Sequence, residues 1–228
     1  GYIYVGEGQD LGQFWAKLAV GDGKIQKSSS NTAVTKSNDC YSLSGATYTV
    51  YSDKGCTKSV ATLTTDGNGN TDTVELRAAT YYVKETEAPK GFQLDKNVYT
   101  LTVKAGETTT LKVSDTPKVT DTLVELFKID METGKSTAQG NASLEGAEFV
   151  WKYYDGYYTK DNLPAEATRT WTTKTIAEKD SNNEVHYITR LADAYKISGD
   201  SFYTQNGTVC LPLGTITVEE KAAPNGYL

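Results

Sequence analysis

Three residues of this chain could make a covalent bond together: Lys27, Glu85 and Asp115. Glu85 stands in the middle of Tyr81-Tyr82-Val83-Lys84-Glu85-Thr86-Glu87-Ala88-Pro89-Lys90-Gly91-Phe92, a run of β-formers that stops at a Pro-x-Gly turn. A carboxylate where a strand should face a core needs a partner. In an apolar core, desolvation favours the neutral forms of amines and carboxylic acids. A neutral amine is a nucleophile, and a neutral glutamic acid can lend a proton to a nearby carbonyl and shuttle protons during its attack. Lys27 and Asp115 would then condense, expel water and leave an isopeptide bond, once per molecule. The plainer reading makes Lys27 and Glu85 a cross-strand ion pair on a solvated face.

These residues need strands to hold them, and the strands come in two sets. The glutamate run returns as Ile216-Thr217-Val218-Glu219-Glu220-Lys221-Ala222-Ala223-Pro224-Asn225-Gly226-Tyr227, so Glu-x-x-Ala-Pro-x-Gly-aromatic occurs twice. Lys27 lies 18 residues before Gly45 of Gly45-Ala46-Thr47-Tyr48, and Lys128 lies 18 before Gly146 of Gly146-Ala147-Glu148-Phe149. In the first copy, strands are predicted over Ala46–Ser52, Thr73–Leu76, Thr80–Glu85, Val98–Lys104 and Thr109–Ser114, with a hairpin turn at Thr64–Asn70. That turn carries Asp66-x-Asn68-x-Asn70-x-Asp72. It lacks the glycine and the terminal glutamate of a calcium loop, so it reads as a turn. Short strands between turn signals predict an all-β chain of two tandem Ig-like or prealbumin-like β-sandwiches, over 24–118 and 119–228. Residues 1–23 have no copy: Leu11, Phe14, Trp15, Leu18 and Ala19 fall at helical spacing behind Asp10, yet Phe14 to Val20 also alternates like a strand entering a turn at Gly21-Asp22-Gly23, and a strand or hairpin is the reading preferred. The second copy is longer by an insertion before its glutamate strand. It stops 8 residues after Glu220, so its last strands are absent from this chain.

The net charge of −6 argues against nucleic acid and anionic membrane as partners. No apolar run approaches the roughly 18 residues that would cross a bilayer, and no signal-peptide pattern opens the chain. Export and anchoring signals are expected outside this segment. A single histidine, His186, leaves almost no material for zinc or Ser-His-Asp catalysis, so no metal or cofactor is expected. Cys40 and Cys56 flank one predicted strand and pair as a disulfide if the chain before Gly45 doubles back; otherwise they remain thiols. Cys210 reads as a buried thiol.

On Lys27, the Gly45-Ala46-x-Tyr48 start, the Tyr82 to Phe92 glutamate box and the terminal Asp115-x-Pro117, the sequence resembles the Cna-B, or SpaA-type, domains of Gram-positive adhesins and pilins. The resemblance covers Lys24 to Lys118 and, incompletely, Val124 to Leu228. It implies a prealbumin-like fold, Lys27, Glu85 and Asp115 as a cross-linking triad, and Lys128 and Glu220 as two-thirds of another. Many members carry Asn as the acceptor; Asp115 would release water in place of ammonia. The expected role is a structural or adhesive segment of a bacterial cell-surface protein, joined to neighbouring domains and not an enzyme acting on a substrate. The alternative is a module that binds a host protein or glycan through the aromatic second half, with Trp151, Tyr154, Tyr157, Tyr158 and Trp171 as candidate contacts.

Overall fold

A computed structural model describes residues 19–120 and 124–227, and the chain is almost wholly β. It divides into two compact units. The first takes the described residues up to Ser28 with Leu43–Pro89 and Leu94–Asp115; the second takes Ser29–Ser42, Lys90–Gln93 and the chain from Thr116 onward.

The first unit is built from β1 (Val20–Ser29), β2 (Thr47–Tyr51), β3 (Ser59–Thr64), β4 (Val74–Arg77), β5 (Ala79–Glu87), β6 (Val98–Val103) and β7 (Thr108–Asp115). One sheet has the order β4-β1-β7 and the other β3-β2-β5-β6. Between them lies a core of Ile25, Tyr48, Val50, Leu63, Leu76, Tyr81, Val83, Leu101, Val103 and Val113, drawn from every strand. The two-residue period of a strand decides what joins that core. On β1 the buried positions are Gly21, Gly23, Ile25 and Lys27, on β5 Tyr81, Val83 and Glu85, and on β7 Val113 and Asp115. Each of the three ionisable residues is therefore turned inward by the register of its apolar neighbours.

Two local features fix β1. The turn read at Gly21-Asp22-Gly23 is instead strand: Asp22 lies opposite Glu75 and Gly23 opposite Val74 on β4. The glycines serve close packing there, since a Cβ on Gly21 would fall 2.0 Å from the Lys104 carbonyl oxygen. Further along, the loop after β3 clamps the strand: Ile25 N donates to Thr71 Oγ1 at 2.9 Å, Thr71 N to the Ile25 carbonyl at 3.0 Å and Lys27 N to the Gly69 carbonyl at 2.7 Å. The loop is a tight turn as expected, but not of a hairpin, since β3 and β4 lie in different sheets. Asp66 Oδ1 accepts from the amides of Asn68 (2.9 Å) and Asn70 (2.8 Å) and so spends its lone pairs on backbone.

The second unit contains β8 (Val119–Thr120), β9 (Leu126–Lys128), β10 (Glu148–Tyr154), β11 (Arg169–Lys174), β12 (Ile176–Lys179), β13 (Val185–Thr189), β14 (Lys196–Gly199), β15 (Tyr203–Gln205), β16 (Thr208–Pro212) and β17 (Thr215–Ala222). Its sheets run β14-β11-β10-β17, β12-β13-β9 and β15-β16-β8. Trp151, Tyr153, Tyr154, Trp171, Leu191 and Tyr195 are buried in its interior. A short helix, α1 (Thr32–Thr35), belongs to this unit.

One threonine device appears in both units. Thr65 Oγ1 accepts from Ala46 N and donates to the Leu43 carbonyl, and Thr175 Oγ1 does the same with Ala147 N and the Leu144 carbonyl. Each threonine staples the bend that leads into a Gly-Ala strand. Among the described residues, no helix is long and apolar enough to cross a membrane.

Candidate functional site

In the first unit Lys27 comes from β1, Asp115 from the last position of the neighbouring β7, and Glu85 from β5 in the facing sheet. All three residues are at most 2% exposed. Lys27 Nζ donates to Glu85 Oε1 at 2.8 Å and to the hydroxyl of Tyr48 at 2.9 Å, and it is in contact with Asp115 Oδ2. Both oxygens of Asp115 are cut off from solvent, and Oδ1 has no donor. Burial, only partly offset by Lys27, pushes the Asp115 carboxyl up to about 6. The acid form held against the amine is thus far more populated near neutral pH than in an ordinary aspartate. Burial, then the Glu85 and Asp115 charges, hold the Tyr48 phenol far above its usual range, so it keeps its proton.

Glu85 is held from behind as well. Its Oε2 accepts the backbone N–H of Asp95 at 2.7 Å. Asp95 is fixed in turn, its Oδ1 accepting from Asn97 N (2.9 Å) and Nδ2 (2.8 Å) and its Oδ2 from the Tyr99 hydroxyl. Tyr48 and Asp95 were not among the residues expected here. An aromatic after Gly-Ala reads as core, and a backbone donor leaves no mark in sequence. The one available signal was the difference between copies, Tyr48 in the first and Phe149 in the second.

In the second unit Lys128 and Glu220 also meet: Lys128 Nζ lies 2.7 Å from Oε1 and 2.8 Å from Oε2. Here the side chains are 19% and 34% exposed. β9 and β17, which carry them, are the end strands of their sheets, whereas β1 and β5 have neighbours on both sides. The pair is therefore a partly solvated ion pair, and among the described residues no second carboxylate is bonded to the amine.

The aromatic residues proposed as ligand contacts are mostly interior. Trp151 is 1% exposed, Trp171 0% and Tyr154 5%, and Trp151 lies directly opposite Trp171 in the β10–β11 ladder. Trp151 Nε1 donates to Thr173 Oγ1 at 2.8 Å and Trp171 stacks on Phe202, so their polar and apolar surfaces are both used. Tyr158 is half-buried, its ring edge-on to Tyr154, and Tyr157 is exposed.

Cys40 and Cys56 are not bridged. The chain before Gly45 does not double back along β2. Instead Tyr41 N bonds the Asn38 carbonyl and Ser42 N the Lys90 carbonyl, which keeps Cys40 beside residues 90–93. Cys56 sits in the turn after β2, where Asp53 accepts the amides of Thr57 and Lys58. Burial raises the Cys40 thiol, which makes it a poor nucleophile. Cys210 is buried on β16, and His186 lies on β13, 3.3 Å from Asp180.

The model of the SpaA prealbumin-like fold domain family matches residues 29–117, a stretch that includes Glu85 and Asp115 and begins two residues after Lys27. No curated protein matches the chain by sequence. Among solved structures it is similar to the Bacillus anthracis TIE protein, with 25% identity and a TM-score of 0.52 over 92% of this chain and 29% of that one. It is also similar to the C-terminal fragment of the pilus adhesin SpaC from Lactobacillus rhamnosus GG (19% identity, TM-score 0.44, 91% of this chain and 77% of that fragment). A third similarity is to GBS52, the minor pilin of Streptococcus agalactiae (18%, 0.36, 46% and 48%). The chain thus spans 29% of the length of the TIE protein.

Proposed function

Residues 29–117 being a SpaA-type prealbumin-like domain, we propose that the chain is a load-bearing or adhesive segment of a bacterial cell-surface protein, braced by an autocatalytic isopeptide bond between Lys27 and Asp115. The observation that carries the proposal is the sealed contact of Lys27 Nζ with Asp115 Oδ2, with Glu85 Oε1 2.8 Å from the same nitrogen. Three ionisable groups in a dry core are expensive to keep, the more so when Asp115 Oδ1 has no donor. Condensation removes the amine and the acid together. It also closes a ring from residue 27 to residue 115, and by analogy with disulfide loops the unfolded chain loses conformational freedom equivalent to about 4–5 kcal/mol.

The chemistry turns over no substrate, so the segment is structural and not an enzyme. The surface setting draws on the pilus adhesin and pilin among the similar structures, and the whole protein would present this segment outside the cell beside further domains. Of the five aromatics named for a host-binding reading of the second unit, exposed Tyr157 and half-buried Tyr158 remain accessible.

Intact-mass spectrometry of the reduced chain tests the bond. A mass one water below that of the sequence is expected; a mass equal to the sequence removes the brace.

A further inference from the structure

We infer that Tyr48 is a catalytic residue of this condensation, its hydroxyl and Glu85 Oε1 taking the two N–H bonds of the neutral Lys27 amine and leaving the lone pair turned to Asp115. The inference rests on the proposed Lys27–Asp115 bond. Lys27 Nζ has three polar neighbours: Tyr48 Oη at 2.9 Å, Glu85 Oε1 at 2.8 Å and Asp115 Oδ2. The first two are hydrogen bonds that it donates, and the third is a close contact. A tetrahedral nitrogen that spends two N–H bonds on Tyr48 and Glu85 has one direction left, and Asp115 occupies it.

The fold sets this arrangement before any reaction. Tyr48 is directly opposite Glu85 in the β2–β5 ladder and has no exposed surface. The Asp95 N–H engages Glu85 Oε2 at 2.7 Å, so the oxygen free to exchange a proton is Oε1, on the lysine side. The step then balances. The Nζ lone pair forms a bond to the Asp115 carboxyl carbon. The Nζ hydrogen on the Glu85 side passes to Oε1, and Glu85 delivers a proton to the departing Asp115 hydroxyl, which leaves as water. The remaining hydrogen stays on Nζ, donated to Tyr48 Oη, and becomes the amide N–H. Glu85 ends as it began. In the second unit Phe149 stands where Tyr48 would be, three residues after the turn glycine, and Lys128 places its hydrogens on both oxygens of Glu220.

The test uses the full chain and Tyr48→Phe, synthesised in a short pulse and quenched in denaturant at intervals, with intact mass read at each time. Loss of water in Tyr48→Phe should be roughly 10- to 100-fold slower than in the unaltered chain, the effect of one lost orienting hydrogen bond. An equal rate overturns the inference. Packing is separated from catalysis by comparing Tm of Glu85→Ala with Glu85→Ala/Tyr48→Phe, neither of which can link. Equal Tm values with slowed linking support a catalytic hydroxyl, while a lowered Tm that accompanies the slowing assigns the effect to packing and overturns it. Should Tyr48→Phe not fold, 3-fluorotyrosine at position 48 keeps the shape with a weaker acceptor oxygen. Slower linking then supports the role, and equal or faster linking rejects it. If the unaltered chain never loses water, the proposed bond itself fails, which is a different result from either.

Discussion

A lysine with no solvent around it behaves unlike the same residue at a surface, and this chain offers both. Lys27 is sealed against Glu85 and Asp115, while Lys128 pairs with Glu220 in reach of water. Glu85→Ala should therefore restore the missing water to the intact mass and lower Tm, and a variant still light by one water would exclude Glu85 as the proton carrier. Lys128→Met removes a solvated ion pair worth about 0–1 kcal/mol, so its Tm should scarcely move. Lys27→Met, by contrast, leaves Asp115 buried without the amine that draws its pKa down. Its carboxyl, already raised to about 6 by burial beside Lys27, then favours the acid form further. Stability from that proton is complete below the unfolded value of about 3.9 and is lost as pH rises through 6 and above. Melting of Lys27→Met from pH 4 to pH 8 should show this fall, and Lys27→Met/Asp115→Asn should not. The lysine was legible because its spacing to the Gly-Ala strand repeats in two copies, the glutamate because its motif repeats, and the aspartate because it stands in the terminal Asp115-x-Pro117. Tyr48 was not, since its role depends on one oxygen meeting one nitrogen across the sandwich. Trp151, Tyr154 and Trp171 were misread because composition marks aromatics without marking which face of a strand they occupy.

At the scale of elements, the site depends on β1 being held straight at Lys27, and the 66–71 turn does the holding. Gly69 has φ +79°, and a Cβ there would fall 2.2 Å from the Lys27 carbonyl oxygen. Gly69→Ala should cost at least about 1–2 kcal/mol for the left-handed backbone alone and slow the loss of water, measured by Tm in the Glu85→Ala background and by the mass time course. A second element is anchored differently. Buried Asp130 accepts from Thr133, Gln139 and the hydroxyl of Tyr227, the aromatic of the second glutamate box, and these bonds hold its carboxyl far below the usual range. Its contribution is present above about pH 4 and fades as pH falls further. Acid melting below pH 4 should be less steep in Tyr227→Phe. Strand positions were readable in the first unit because alternation and turn residues agree. The Gly21-Asp22-Gly23 stretch was not, because glycine signals a turn and a close approach with the same letter. The Cys40–Cys56 pairing failed for a related reason: spacing says nothing of the path that residues 38–42 take.

For the molecule as a whole, the proposed bond changes how far the chain can be drawn out. Residues between 27 and 115 would be bypassed, so pulling on the termini should yield an extension about 300 Å shorter than in Glu85→Ala, from 88 residues at roughly 3.4 Å each. Equal extensions in single-molecule force measurements would contradict the brace. The family likeness of the first unit was legible because its motifs are contiguous. The second unit's loops 29–42 and 90–93 come from far earlier in sequence than the strands they accompany, and no local pattern announces such a loan. One consequence follows from Asp115 closing β7 beside β1. The turns at 53–58, 66–70 and 104–107 all fall inside the ring, so a protease that cuts any of them leaves no loose fragment. The nicked chain would migrate as a single piece under denaturing conditions, and damage at the surface would leave the two ends of the segment still tied together.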